Sequence, residues 1–289
     1  MRYASMICER SRNLGDEIQG IAAARLLPRV DGFVPRERLD QVDVATVVVL
    51  NGWFGPRDLS WPPSPHVHPV YFGFHITARH DSVERVLSPD GVEHLRGSGP
   101  IGCRDDRTRA LLEDRGIEAF TSWCATMTLP RRDRAPSQGK VFLVNADYVP
   151  VPSALARGAV RVDHNVHLPL RPSTQRALAE DLLATYRDRA RLVITTKIHC
   201  AMPCAAMGIP TVFIGDVQGN PRLEPVSRML PVNQFRHPVG RVRRTLNRSR
   251  LNRAFLGSVD WEPPVVDYED EKAVAIERFQ EQLDRAVAR

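Results

Sequence analysis

LVITTKIHCAMPCAAMGIPTVFI, residues 192–214, holds one complete turn of alternating structure. Arg191 to Thr196 is a β-branched, apolar run and reads as a strand. Cys200 to Met207 is a run of small residues that reads as a helix, and Gly208 follows it as a C-cap. Thr211 to Ile214 is the next strand. A strand, a helix and a second strand in such close succession form a unit whose two strands lie parallel.

The same alternation recurs outward from this stretch. On the amino-terminal side, Tyr3 to Cys8 is a short apolar run, and Glu17 to Leu27 has helical spacing until Pro28 stops it. Val44 to Leu50 is nearly continuous β-branched sequence, the mark of a strand buried on both faces. Val70 to Ile76 and Pro100 to Cys103 are further strands, Asp105 to Arg115 is helical, and Lys140 to Asn145 closes this half. Ala159 to His167 reads as a strand, and Ser173 to Arg189 as a long amphipathic helix with Ser173 as its N-cap. Trp261-Glu-Pro-Pro264 is a stiff linker, and Tyr268 to Arg289 is a final charged helix. The pattern predicts an α/β fold with mainly parallel sheets. We expect a first Rossmann-like domain over 1–150 and a second over 151–260, joined near 146–160, with helix 268–289 packing back on the first. Ligand in such folds lies at the carboxyl ends of the strands.

Composition narrows the class. The 289 residues are 43% hydrophobic and 26% charged, near the soluble globular average. No apolar run approaches the length of a membrane-spanning helix. The first residues lack the apolar core of a secretory signal. These features predict a cytoplasmic location, with the inner membrane surface as a place where substrate could be met. Net charge is +6, yet the positive side is lopsided: Lys140, Lys197 and Lys272 are the only lysines among 40 basic residues. The one dense basic run, Arg241 to Arg253, reads as a solvated helix face, and no nucleic-acid motif accompanies it. Five cysteines, an odd number, argue against a disulfide framework and read as buried packing groups. His66 and His68 lie in a loop between prolines, and no metal is expected.

The turns after the strands carry the chemistry. Thr195, Thr196, Lys197 and His199 cluster at the start of a helix, whose free N–H groups and dipole suit a phosphate or carboxylate. His199 is placed to move a proton. Asn13-Leu-Gly-Asp16 precedes another helix: Gly15 allows close approach of backbone to ligand, Asn13 is expected to face the crevice, and Asp16 can cap the helix. Arg104, after the strand ending at Gly102, can clamp an oxyanion. Asn51-Gly-Trp53 leaves the most buried strand and, with His75, can meet an acceptor. GxSxG, Walker and HExxH signatures are absent from the sequence.

Taken together, NLGDEIQ (13–19), NGWF (51–54), PIGCRD (100–105) with Thr108, WCATMTL (123–129) and the 192–214 block resemble the polysaccharide pyruvyl transferase family. The resemblance implies two Rossmann-like domains facing a central cleft, in the GT-B manner. It implies transfer of the pyruvate unit of phosphoenolpyruvate to sugar hydroxyls as a ketal, with release of phosphate. The family's cation and histidine fall on Lys197 and His199, with lysine standing in place of the usual arginine. The arginine of its Gly-x-Arg-Asp motif falls on Arg104. His199, Asp16 and Lys197 are then the expected catalytic residues. Arg104, Lys197, Thr195, Thr196, Asn13 and Gly15 are expected at the donor, and Asn51, Trp53 and His75 on the acceptor side. No cofactor is expected beyond phosphoenolpyruvate as co-substrate. The partners are a small anionic donor and a sugar or glycan-lipid acceptor met through loops 53–68 and 129–138. Two alternatives are a GT-B-type glycosyltransferase using a nucleotide sugar and an inactive glycan-binding member of the family.

Overall fold

The computed structural model describes residues 1–55, 59–77, 81–215, 223–235 and 252–289. Most of the basic run at 241–253 lies outside the described residues. Two compact units emerge. The first comprises Met1–Leu129, Asn165–Asp181 and Tyr268–Arg289, and the second comprises Pro130–His164 and Leu182–Asp267.

The first unit is built on a six-stranded sheet: β1 (Arg2–Ile7), β2 (Gly32–Pro35), β3 (Thr46–Phe54), β4 (Val67–Ile76), β5 (Ile101–Cys103) and β6 (Ala119–Thr121). Every pairing is parallel, in the order β2-β1-β3-β4-β5-β6. Val47, Val48, Val49 and Leu50 of β3 are at most 1% exposed. Each contributes roughly 1.5–3 kcal/mol of apolar burial, so this strand anchors the unit. Helices α1 (Leu14–Ala24), α2 (Ser82–Val86), α3 (Pro89–Ser98) and α4 (Asp106–Glu113) connect the strands. A 3-10 helix, Arg36–Gln41, leads out of β2.

The second unit holds a five-stranded sheet of β7 (Lys140–Val144), β8 (Val160–Val162), β9 (Ala190–Thr195), β10 (Thr211–Ile214) and β11 (Val232–Asn233). Its order is β11-β10-β9-β7-β8, again all parallel. Helices α5 (Ser153–Ala156), α6 (Pro172–Arg189), α7 (Ile198–Ala206) and α8 (Glu224–Ser227) follow in the chain. Counted along its own chain, this sheet has the strand order 2-1-3-4-5. The first sheet has the same order with one strand added. The terminal helix α9 (Glu269–Ala288) belongs to the first unit, where Phe279 packs edge-on against Phe72 of β4 at 5.4 Å.

The structure corrects several expectations. Lys140–Val144 does not close the first half: it pairs with β8 and β9, so the division falls after Leu129 rather than at 150. Residues 165–181 return to the first unit, where Asn165 bridges Asn13 and Val166 N–H donates to the Arg12 carbonyl. The strand expected over 159–167 ends at Val162, because the chain turns there to tie His164 N–H to Asn145 Oδ1 at 3.0 Å. Ser173 is not an N-cap, since α6 already begins at Pro172, the position where a missing N–H costs nothing. Among the described residues no helix is long and apolar enough to cross a membrane.

Candidate active site

In a sheet of order 2-1-3-4-5 the chain steps outward on one side of the first strand and then returns to the other. This opens a crevice at the carboxyl ends of the first and third strands. In the first unit those ends are at β1 and β3. In the second they are at β7 and β9.

At the first of these points α1 begins. Asn13, not Asp16, is its cap: Asn13 Oδ1 accepts from Gly15 N–H at 3.0 Å. Gly15 lies inside the first turn. Asp16 is left facing outward, half-buried, accepting from Ser11 Oγ at 2.5 Å and from Gln19 Nε2 at 3.3 Å. Across from it, the end of β3 is irregular. A register shift falls between Leu50 and Gly52, and Gly52 has φ +86°, where a side chain would be strained. Asn51 is 3% exposed, and its Oδ1 has no hydrogen-bond partner among the described residues. Trp53 lies under the guanidinium of Arg36, 4.3 Å from the ring centre. Asp16, Gln19, Arg36, Asn51 and Trp53 line one narrow cavity of about 10 Å³.

The ends of β4 and β5 carry a second group. His75 Nδ1 meets Asp105 Oδ2 at 2.5 Å, both buried. Asp105 also caps α4, with Oδ1 accepting from Thr108 N–H at 2.9 Å and from Thr108 Oγ1 at 3.0 Å. Burial pushes its carboxyl up, but the bond from His75, that ring's charge, the Thr108 N–H and Arg104 outweigh this and hold it below the usual carboxylate range. It therefore stays ionised and can orient the imidazole. Arg104 is buried beside it and acts electrostatically on Cys124, whose Sγ lies 3.9 Å from Gln19 Oε1. A polar row thus runs from Asp16 through Gln19 and Cys124 to Arg104, Asp105 and His75.

In the second unit, β9 delivers Thr195, Thr196 and Lys197 to its carboxyl end. Thr195 Oγ1 accepts from Lys197 N–H at 3.0 Å, and Thr196 Oγ1 donates to the Asn145 carbonyl at 3.0 Å, tying the ends of β7 and β9 together. The two hydroxyls therefore shape the turn. Lys197 is half-buried at the N-cap of α7, and its carbonyl accepts from Cys200 and Ala201 N–H. His199 is 5% exposed and departs from helical geometry, with ψ +20°. Behind the turn lies a buried polar cluster. His164 Nε2 and Tyr186 Oη are 2.9 Å apart, and Cys200 adjoins His164, Thr195 and Cys204. Burial raises the Cys200 thiol, but hydrogen bonds from Cys204, His164 and Thr195 bring it down to about 5. All five cysteines are free and buried.

The sequence-predicted residues fall into two sets. Asn13, Gly15, Asp16, Asn51, Trp53, His75 and Arg104 belong to the first unit, and Thr195, Thr196, Lys197 and His199 to the second. Residues 130–138, most of the 129–138 loop expected to meet an acceptor, line an arginine-rich cavity with Arg187 and Asp188. They precede β7 and β9, so they lie at the amino ends of those strands, away from Thr195–His199. Sequence reasoning overlooked Arg36, Asp105, His164 and Cys200. Asp105 stood beside the arginine in PIGCRD. Arg36 follows GFVP, too short an edge strand to notice.

The family model described as polysaccharide pyruvyl transferase matches residues 13–216. No curated protein gives a match. A solved structure, a functionally uncharacterized protein from Klebsiella pneumoniae subsp. pneumoniae, aligns over 82% of this chain and 93% of its own. The identity is 12% and the TM-score 0.46.

Proposed function

The chain belongs to the polysaccharide pyruvyl transferase family, and from that premise we propose that it moves the pyruvate unit of phosphoenolpyruvate onto two hydroxyls of a sugar or glycan-lipid acceptor. The observation that carries this reading is the turn leaving β9. There an ammonium, Lys197, heads a helix at the switch point of the sheet, and a buried imidazole, His199, follows two residues later. A small trianion calls for fixed positive charge and N–H dipoles. Lys197 supplies the charge and the amino end of α7 the N–H dipoles, and Arg104 is the second cation proposed for the donor.

The balance of the reaction is simple. A proton reaches C3 of the enol, making it a methyl and leaving C2 with oxocarbenium character. One acceptor hydroxyl adds to C2 and loses its proton. The C–O bond to phosphate breaks, and the second hydroxyl closes the ketal. Two hydroxyl protons leave the acceptor in total: one is balanced by the proton at C3 and the other leaves with phosphate. His199 is the proposed acid toward C3. His75, held by Asp105 at 2.5 Å, is the proposed base toward the acceptor. Asp16 supports the acceptor hydroxyl.

The test is release of phosphate from phosphoenolpyruvate in the presence of a panel of glycans. The reading requires acceptor-dependent release that His199→Ala abolishes. Thermal stabilisation by nucleotide sugars, with none by phosphoenolpyruvate, would replace it with nucleotide-sugar transfer.

A further inference from the structure

The narrow cavity at the ends of β1 and β3 is polar in a specific way. Arg36 is 3% exposed and largely used: Nη2 donates to Glu37 Oε1 at 2.6 Å and Nη1 to the Trp53 carbonyl at 3.0 Å. Its Nε is buried with no hydrogen-bond partner among the described residues. Asn51 Oδ1 is in the same condition, and both residues line the cavity. Buried polar atoms left unmatched are uncommon in folded proteins, and each asks for a partner. Here one is a donor and one an acceptor, and the Asp16 carboxylate adds a second acceptor to the lining.

Size and charge decide what fits. A cavity of about 10 Å³ has room for one oxygen-sized group. The Arg36 charge is already met by Glu37, and Asp16 adds a negative charge, so a phosphate or carboxylate is disfavoured. A neutral hydroxyl both donates and accepts, and it matches the unmatched pair. Asp16 and Trp53 are the half-buried members of the lining, so the carbon bearing the hydroxyl can leave past them. The topology independently marks these strand ends as a ligand crevice.

We propose that this cavity is a hydroxyl subsite for the acceptor sugar, with Arg36 Nε donating to the hydroxyl oxygen and Asn51 Oδ1 accepting its proton. This rests on the reading of the acceptor as a carbohydrate. Arg36 further acts as a positioning residue, since it pins both the ring and the carbonyl of Trp53.

The experiment measures binding of the methyl glycosides of galactose, glucose and mannose by saturation-transfer NMR, with phosphoenolpyruvate binding followed by thermal shift on the same samples. Wild type should bind at least one glycoside. Asn51→Leu fills the cavity and removes the acceptor, and it should weaken that binding roughly ten- to a hundredfold. Asn51→Asp keeps an acceptor and should stay within a few-fold. Phosphoenolpyruvate binding should be unchanged in both. Unaltered glycoside binding by Asn51→Leu, with only its thermal stability changed, would mean a structural water and overturn the proposal. So would failure of the wild type to bind any of the three glycosides. Loss of phosphoenolpyruvate binding with glycoside binding intact would instead strike the donor reading and leave the subsite standing.

Discussion

Glu17→Gln should make the protein less sensitive to rising pH. Glu17 lies in the first turn of α1, is 2% exposed, and has one carboxylate oxygen without a hydrogen-bond partner among the described residues. Burial pushes its carboxyl up to about 7 from 4.5, with Asp16 and Glu180 adding to the rise and Arg176 and the Cys8 backbone N–H opposing it. A folded pKa above the unfolded one favours the protonated form. The stability tied to this group is therefore fully present below pH 4.5 and is lost as pH rises through about 7. At about 1.36 kcal/mol per pH unit, the ionised side chain costs the fold roughly 3 kcal/mol. Most of that cost, about 2.5 kcal/mol, accrues between roughly pH 5 and pH 8. Glutamine is the neutral counterpart and does not titrate. Urea denaturation of both proteins at these two pH values should show the variant gaining that amount relative to wild type as pH rises. In a unit of this size the change moves the melting temperature by roughly 5–10 °C. A difference that stays flat, or a wild type that gains on the variant with rising pH, would refute the reasoning. It would show that the charge of Arg176 outweighs burial.

Other outcomes follow from the same geometry. Asp105→Asn keeps an oxygen to cap α4 but loses the charge that orients His75, so turnover should fall at least about tenfold with stability changed by roughly 1 kcal/mol or less; paired kinetics and melting curves check both. Lys197→Arg restores the family's usual cation and should keep phosphoenolpyruvate affinity within a few-fold, while Lys197→Ala should lose it, as calorimetric titration would show. Arg104→Lys keeps the charge but not the fork, and should raise KM for phosphoenolpyruvate roughly tenfold or more, measured by initial rates. Cys200 should be ionised at neutral pH, so the thiolate ultraviolet absorbance of the native protein should fall on Cys200→Ser and persist in Cys8→Ser.

Long or strongly patterned elements were legible from the chain. The run at 192–214 announced β9, α7 and β10, and the valine run announced β3. The unread strands are short edge strands: Gly32–Pro35, Ala119–Thr121 and Val232–Asn233 have too few residues to show a period. Sheet membership was harder still. Lys140–Val144 looks alike in either sheet, and only its pairing with β9 and β8 assigns it. The return of 165–181 to the first unit depends on contacts such as Asn13 with Asn165, far apart in sequence. The candidate site was legible where a polar turn follows a strand, as at Thr195–His199. It was opaque where a side chain is held by a partner many residues away, as His75 is by Asp105. Asn13 carries a role that its place in the sequence did not assign it: its amide oxygen caps its own helix.

The central claim is pyruvyl transfer from phosphoenolpyruvate. Its most direct test is to incubate the protein with phosphoenolpyruvate and a glycan panel, quantify phosphate, and analyse the glycan by mass spectrometry and NMR. Phosphate should be released in proportion to a glycan that gains one pyruvate less one water, with a ketal methyl signal, and neither product should form with His199→Ala. Phosphate release without glycan modification, or no reaction across the panel from a protein that binds no phosphoenolpyruvate, would contradict it.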